Sequence, residues 1–223
     1  MIEHVYRRAA EAALISRVIV ATDDRRILDA VHRFGGDAVM TGASHQSGTD
    51  RLAEVAATLD CDLVVNVQGD EPLLAPETID AAVAPFAADA SLQMSTLRRR
   101  ITDPAELQNP NVTKVVVDRD GFAMYFSRAA IPFTRPGQPA ATAWAHIGLY
   151  VYRRACLLRV AALPQTAMER AEALEQLRAL EHGIRILAIE TTHDTIGVDT
   201  REDLERVRAL VAHSLAGDIA GAT

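Results

Sequence analysis

Apolar positions in the first ninety residues alternate between two spacings. From Glu3 to Leu14, Val5, Ala9 and Ala12/Ala13 recur three or four residues apart, the spacing of one helix face. Arg17 to Ala21 is a short β-branched run and predicts a strand. Ile27, Val31 and Phe34 then stripe a helix over residues 24–34, stopped by Gly35 and Gly36. A short strand over 37–41 and a helix over 49–59 follow. Residues 63–67 (Leu-Val-Val-Asn-Val) form a second apolar run that ends in Gly-Asp-Glu-Pro, and Pro76 opens a further helix where proline is tolerated. Strands that are apolar on both faces, alternating with helices of this length, predict a doubly wound, mostly parallel α/β sheet.

The middle of the chain has a different pattern. Leu92 to Leu97 predicts a strand, and apolar runs at 112–117 and 122–126 flank Arg119-Asp120-Gly121, a hairpin signal. Residues 132–142 are rich in Pro, Gly and Ala and predict a loop, followed by a strand over 145–152. Helices are expected over 155–162 and, as one continuous element, over 168–181 up to Gly183. A strand over 184–189 and a last helix capped by Thr200 complete the reading. No repeat or linker divides the chain. Residues 1–223 are therefore expected to form one domain, with an antiparallel excursion over 112–153.

Composition narrows the function classes. The 223 residues carry a net charge of −7 with dispersed cations, which argues against a nucleic-acid footprint. No stretch has the length of a membrane span, and the first residues lack a signal peptide's apolar region. Cys61 and Cys156 make neither a disulfide framework nor a zinc pattern. A cytoplasmic protein without membrane insertion is expected.

The candidate chemistry lies at strand ends, where open α/β sheets bind ligands. Asp70 follows the strand over 63–67, and Asp199 stands in Ile-Gly-Val-Asp-Thr before the last helix. Alone, each has the plain reading of a turn or helix-proximal charge. Together, two such carboxylates suit magnesium, which binds one or two carboxylates and keeps the rest of its shell for waters and phosphates. The segment His45 to Arg51 runs from a polar loop into a helix start, where N–H groups and hydroxyls can cradle a polar ligand; a decorated N-cap is its simpler reading. Arg128 ends an apolar strand with a cation suited to a carboxylate or phosphate. His146 interrupts a strand with a donor for a hydroxylated or anionic ligand, although a satisfied core histidine is the commoner case. Glu175 and Gln176 lie off the Leu174, Leu177, Leu180 stripe, so a solvated helix face is expected for them. No glycine-rich phosphate motif is present.

Six motifs occur in register: Asn66 to Pro72 (Asn-Val-Gln-Gly-Asp-Glu-Pro), His45 to Arg51 (His-Gln-Ser-Gly-Thr-Asp-Arg), Tyr125 to Ala129 (Tyr-Phe-Ser-Arg-Ala), His146 to Tyr150 (His-Ile-Gly-Leu-Tyr), Leu174 to Arg178 (Leu-Glu-Gln-Leu-Arg) and Gly197 to Thr200 (Gly-Val-Asp-Thr). As a set they closely resemble the CMP-Kdo synthetases, the 3-deoxy-manno-octulosonate cytidylyltransferases of lipopolysaccharide biosynthesis. The resemblance implies a Rossmann-like nucleotide-diphospho-sugar transferase fold and cytidylyl transfer from CTP to Kdo with release of pyrophosphate. It further implies Mg2+ held by Asp70 and Asp199, which are also the catalytic residues. Ser47, Gly48, Thr49, Arg51 and Gln68 would serve the nucleotide, and Arg128, His146, Tyr150, Glu175 and Gln176 the sugar acid. Family members are usually homodimers that meet through the antiparallel region.

Two departures from the family pattern stand out. Ala145 occupies a position that is commonly basic. The strand and Arg/Lys-bearing loop that open the family pattern and grip the triphosphate have no counterpart before Met1, so the chain as written is expected to be inactive or weak. An amino-substituted Kdo is an alternative substrate, and a non-catalytic sugar-binding or dimerisation subunit is an alternative role.

Overall fold

A computed structural model describes residues 1–45, 47–193, 197–198 and 200–220, the last ten of these by backbone alone. The first elements are α1 (Ile2–Glu11), β1 (Val20–Thr22), α2 (Arg25–Arg33), β2 (Ala38–Met40), α3 (Gly48–Ala57) and β3 (Leu63–Asn66). Next come α4 (Pro76–Val83), α5 (Pro85–Ala88), β4 (Met94–Arg100), α6 (Pro104–Gln108), β5 (Lys114–Val117), β6 (Ala123–Ser127) and β7 (Trp144–Arg153). The chain ends with α7 (Arg154–Ala161), α8 (Ala167–Glu172), α9 (Gln176–Glu181), β8 (Ile186–Glu190) and α10 (Arg201–Ala220). Among the described residues no helix is long and apolar enough to cross a membrane.

The helix starts have local causes. Asp24 accepts a hydrogen bond from the Arg26 N–H at the start of α2, and Ser47 accepts one from the Asp50 N–H at the start of α3. Pro76 takes the first position of α4, where its missing N–H costs nothing. Thr200 and Asp203 exchange hydrogen bonds at the start of α10. Between β5 and β6 the chain turns at Gly121, whose φ of +85° lies in the left-handed region that favours glycine.

The expected α/β class is present, with an antiparallel strand inside it. β7 pairs antiparallel with β3, β4 and β5, and β8 runs parallel to β4, so β3, β4 and β8 all point one way. β5 and β6 form the expected hairpin. The strands fall into two sheets. β1 pairs with β2 in one, and β3 belongs to the other. Residues of β1 and β3 line one apolar cavity of about 720 Å³, together with Ile2, Val5 and Ala9 of α1 and Ile79 and Val83 of α4.

Two apolar clusters cover the faces of the larger sheet. Met94, Phe126, Leu157, Leu177 and Ile186 lie on one side. Ile79, Leu97, Ile147, Leu149 and Val151 lie on the other. Alternate residues of β7 divide between them, as period-two pleating requires. His146, Gly148, Tyr150 and Tyr152 therefore share the face that lines a second, polar cavity.

Candidate active site

The second cavity has a volume of about 650 Å³ and lies over β7. Eight of the twelve residues expected to form the site line it. Gly48, Thr49 and Gln68 come from the α3 start and the chain after β3; Arg128, His146, Tyr150, Glu175 and Gln176 come from the second half of the chain. Gly197 also reaches it, whereas Ser47, Arg51 and Asp70 are not part of its lining.

A helix break brings in the last two lining residues. The continuous helix expected over 168–181 is interrupted at Ala173, which has φ 51° and ψ 51°, a left-handed conformation that a non-glycine residue adopts only under outside constraint. Outside contacts surround the break. The Arg128 guanidinium donates to the Glu172 carbonyl at 2.8 Å and to the Ala173 carbonyl at 3.5 Å. Glu172 in turn accepts from the Ser127 hydroxyl at 2.6 Å and the Arg128 N–H at 2.9 Å. These hydrogen bonds outweigh burial and hold the Glu172 carboxyl below its ordinary range. Gln176 consequently leaves the solvated face expected for it and is buried, while Glu175 stays exposed at the cavity rim.

Buried polar groups in and behind the cavity lining are paired. Lys114 is fully buried, and its ammonium donates to three carbonyls, those of Asn109, Val112 and Arg128, at 2.6–2.9 Å. Burial, with Arg128 nearby, pushes its pKa down. Arg178 and Glu169 form a buried ion pair with Nε–Oε2 at 2.9 Å, and the same carboxylate accepts from the Thr166 N–H at the start of α8. The second carboxylate bond and the three-carbonyl cap leave few polar atoms unsatisfied, as burial demands.

His146 is positioned by a bulge. In the β4–β7 register Thr96 faces Tyr150 and Leu97 faces Ile147, so Gly148 and Leu149 have no partner. The Thr96 hydroxyl fills this irregularity. It lies 2.8 Å from the Leu149 carbonyl and 2.9 Å from His146 Nε2. A hydroxyl has one proton, and here it goes to the carbonyl, so Nε2 donates and Nδ1 is left as the ring's acceptor. Burial drives the His146 pKa down to about 3, which keeps the ring neutral. Phe126 and Tyr150 pack against the ring at centroid distances of 5.0 and 5.4 Å.

Arg51 and Asp70, outside the lining, are held by contacts of their own. Arg51 Nη2 meets Asp23 Oδ2 at 3.0 Å, and its Nη1 meets the Thr41 hydroxyl at 2.5 Å, which ties α3 to the ends of β1 and β2. His45 and the Gly42 N–H both reach the Glu54 carboxylate, which shapes the loop before α3. Asp70 lies after β3, and its carbonyl accepts from the Val198 N–H at 2.9 Å, which draws the chain around Gly197 to this strand end. Asp199 lies outside the described residues. Beside Asp70, burial and the neighbouring charge raise the Glu71 carboxyl to about 7, and Glu71 Oε2 is buried with no hydrogen-bond partner among the described residues. An under-neutralised pair of carboxyls at a strand end fits a cation.

Sequence reasoning missed Tyr152, Thr96, Lys114 and the Arg178–Glu169 pair. Tyr152 was findable, because period two carries the His146 face to Gly148, Tyr150 and Tyr152. The other three carry no local signal.

Comparison with known proteins gives three findings. The sequence profile of the family described as Cytidylyltransferase matches residues 1–186. The 3-deoxy-manno-octulosonate cytidylyltransferase of Trichlorobacter lovleyi is 50% identical over 218 residues, covering 93% of this chain and 86% of that protein. The protein of the same name from Syntrophotalea carbinolica is 54% identical over 217 residues, covering 94% and 87%. Among solved structures, CMP:2-keto-3-deoxy-manno-octonic acid synthetase complexed with CTP superimposes with a TM-score of 0.91 at 43% identity, covering 96% of this chain and 88% of that one.

Proposed function

The chain belongs to the 3-deoxy-manno-octulosonate cytidylyltransferase family, and from that premise we propose that it transfers a cytidylyl group from CTP to Kdo, giving CMP-Kdo and pyrophosphate. The observation that carries this reading is the polar cavity itself. One wall joins Gly48 and Gln68, from the nucleotide-side motifs, to Arg128, His146, Tyr150 and Gln176, from the sugar-side motifs.

The reaction forms a bond between the sugar's anomeric oxygen and the α-phosphorus of CTP and breaks the bond to pyrophosphate. No covalent enzyme intermediate is required, so the protein's task is to position both substrates and offset their charge. Arg128 supplies a fixed cation for the sugar carboxylate, its guanidinium already oriented by the carbonyls of Pro110, Glu172 and Ala173. His146 Nδ1 accepts from a sugar hydroxyl. Tyr150 and Gln176 bound the sugar pocket, and Gln68 bounds the nucleotide. Asp70 and Asp199 would hold Mg2+, which when bound supplies neutralisation of the phosphate charge.

A homodimer is part of the proposal. Met124 of β6 and Phe133 of the following loop are 66% and 81% exposed, large apolar groups on the antiparallel region. A cytoplasmic location is part of the same proposal.

The test is pyrophosphate release from CTP in the presence of magnesium and either Kdo or its amino-substituted analogue. Sugar-dependent release above the blank with Kdo is expected. Asp70→Asn should lower it by about a hundredfold or more. Release with the amino sugar alone would replace Kdo as the substrate, and release with neither would sink the proposal.

A further inference from the structure

Thr49 stands in the motif assigned to the nucleotide, but its side chain is committed elsewhere. Its hydroxyl donates to the Glu175 carboxylate at 2.7 Å, across 126 residues of sequence. Thr49 is itself buried, in the first turn of α3, while Glu175 stands at the cavity rim just after the helix break at Ala173. The buried Tyr152 lies within electrostatic reach of both Thr49 and Glu175. Glu175 also acts on Tyr150 and Arg178.

Among the described residues, no other hydrogen bond to this carboxylate accompanies that of Thr49. Arg178 acts on it electrostatically, but that guanidinium is already paired with Glu169 through two hydrogen bonds. An exposed glutamate has three side-chain torsions to fix, and a charge-assisted hydrogen bond from a buried hydroxyl fixes the last of them. The hydroxyl has one proton, and Glu175 takes it, so Thr49 has none left to offer a nucleotide.

We infer that Thr49 is a positioning residue for the sugar acid: its hydroxyl, backed by Tyr152, orients the Glu175 carboxylate toward the sugar and joins the α8–α9 break to the start of α3. The inference rests on the proposed function, in which the sugar occupies the cavity beside Glu175. It moves Thr49 from the nucleotide side, where the motif placed it, to the sugar side. Valine at this position keeps the shape and removes the donor, whereas serine keeps the donor and removes a methyl group.

The experiment is calorimetric titration of the chain with Kdo and, separately, with CTP, for the wild type and for Thr49→Val, Thr49→Ser and Glu175→Gln. Thr49→Val should weaken Kdo binding about tenfold, the usual effect of losing one charge-assisted hydrogen bond, and change CTP binding less than about twofold. Thr49→Ser should restore Kdo binding to within about threefold of wild type. If Glu175→Gln weakens Kdo binding and Thr49→Val does not, the positioning role is wrong and the site reading stands. If neither changes Kdo binding, the placement of the sugar beside Glu175 is wrong and the inference goes with it. A loss of CTP binding in Thr49→Val that serine repairs would return Thr49 to the nucleotide.

Discussion

Two cavities of similar size, about 650 and about 720 Å³, sit on the same fold with opposite linings. The first is lined by Arg178, spent on Glu169, and backed by further buried polar groups whose donors are spent on named acceptors: Lys114 on three carbonyls and Thr96 on Leu149. The second is walled by Ile, Val and Ala, between β1, whose partner is β2, and β3, whose partner is β7. The contrast separates two ways of keeping space open. Rigid hydrogen-bonded walls hold the polar cavity to one shape, whereas the apolar cavity has walls without directional bonds across it.

The comparison breaks most severely at the polar wall. Arg178→Met should destabilise the protein by about 3–5 kcal/mol, because it leaves the Glu169 charge buried without its partner. The double variant Arg178→Met/Glu169→Leu should recover much of that loss in urea unfolding. Equal losses for the single and double variants would show that packing, not charge, holds this wall.

Acid should act on the polar wall alone. The folded His146 has a pKa of about 3, against an ordinary value of about 6.5 in the unfolded chain. The unfolded state therefore binds the proton first. The resulting stability is complete above about pH 6.5 and is lost as pH falls from there toward 3. His146→Asn should flatten this part of the stability–pH curve. An unchanged slope in the variant would mean that the ring is not held neutral.

The smallest effects compare the two cavities within one ladder. Val65 of β3 lines the apolar cavity, and Val151 faces it in register on β7, fully buried. Val151→Ala should cost about 2–3 kcal/mol, as loss of close-packed apolar contact. Val65→Ala should cost less than about 1 kcal/mol, since one side of that residue meets open space. Equal costs would show that the apolar cavity is closed in solution.

Much of the molecule was legible from the chain, for local reasons. The helix starts at Asp24, Ser47, Pro76 and Thr200 follow from what a first turn needs, and the β5–β6 turn at Gly121 follows from the φ that glycine permits. The motif residues from both halves of the chain meet at one cavity, Gly48 and Gln68 with Arg128 and His146. The continuous helix over 168–181 was wrong because its stripe of leucines has no local stop. Arg128, forty-five residues upstream of Ala173, supplies contacts at the break.

What the sequence determined by itself was the kind and order of elements and the identity of the polar residues at strand ends. Apolar spacing and capping act over a few residues, and so are written locally. What only the tertiary structure decided was which of those residues act together. The Thr49 hydroxyl meets Glu175, Thr96 sets the tautomer of His146, and Lys114 closes three carbonyls over the wall. Each of these depends on a single donor finding one acceptor among many in a buried space. That choice is made by the packing of distant segments, because an unpaired polar group there costs more than any local preference can return.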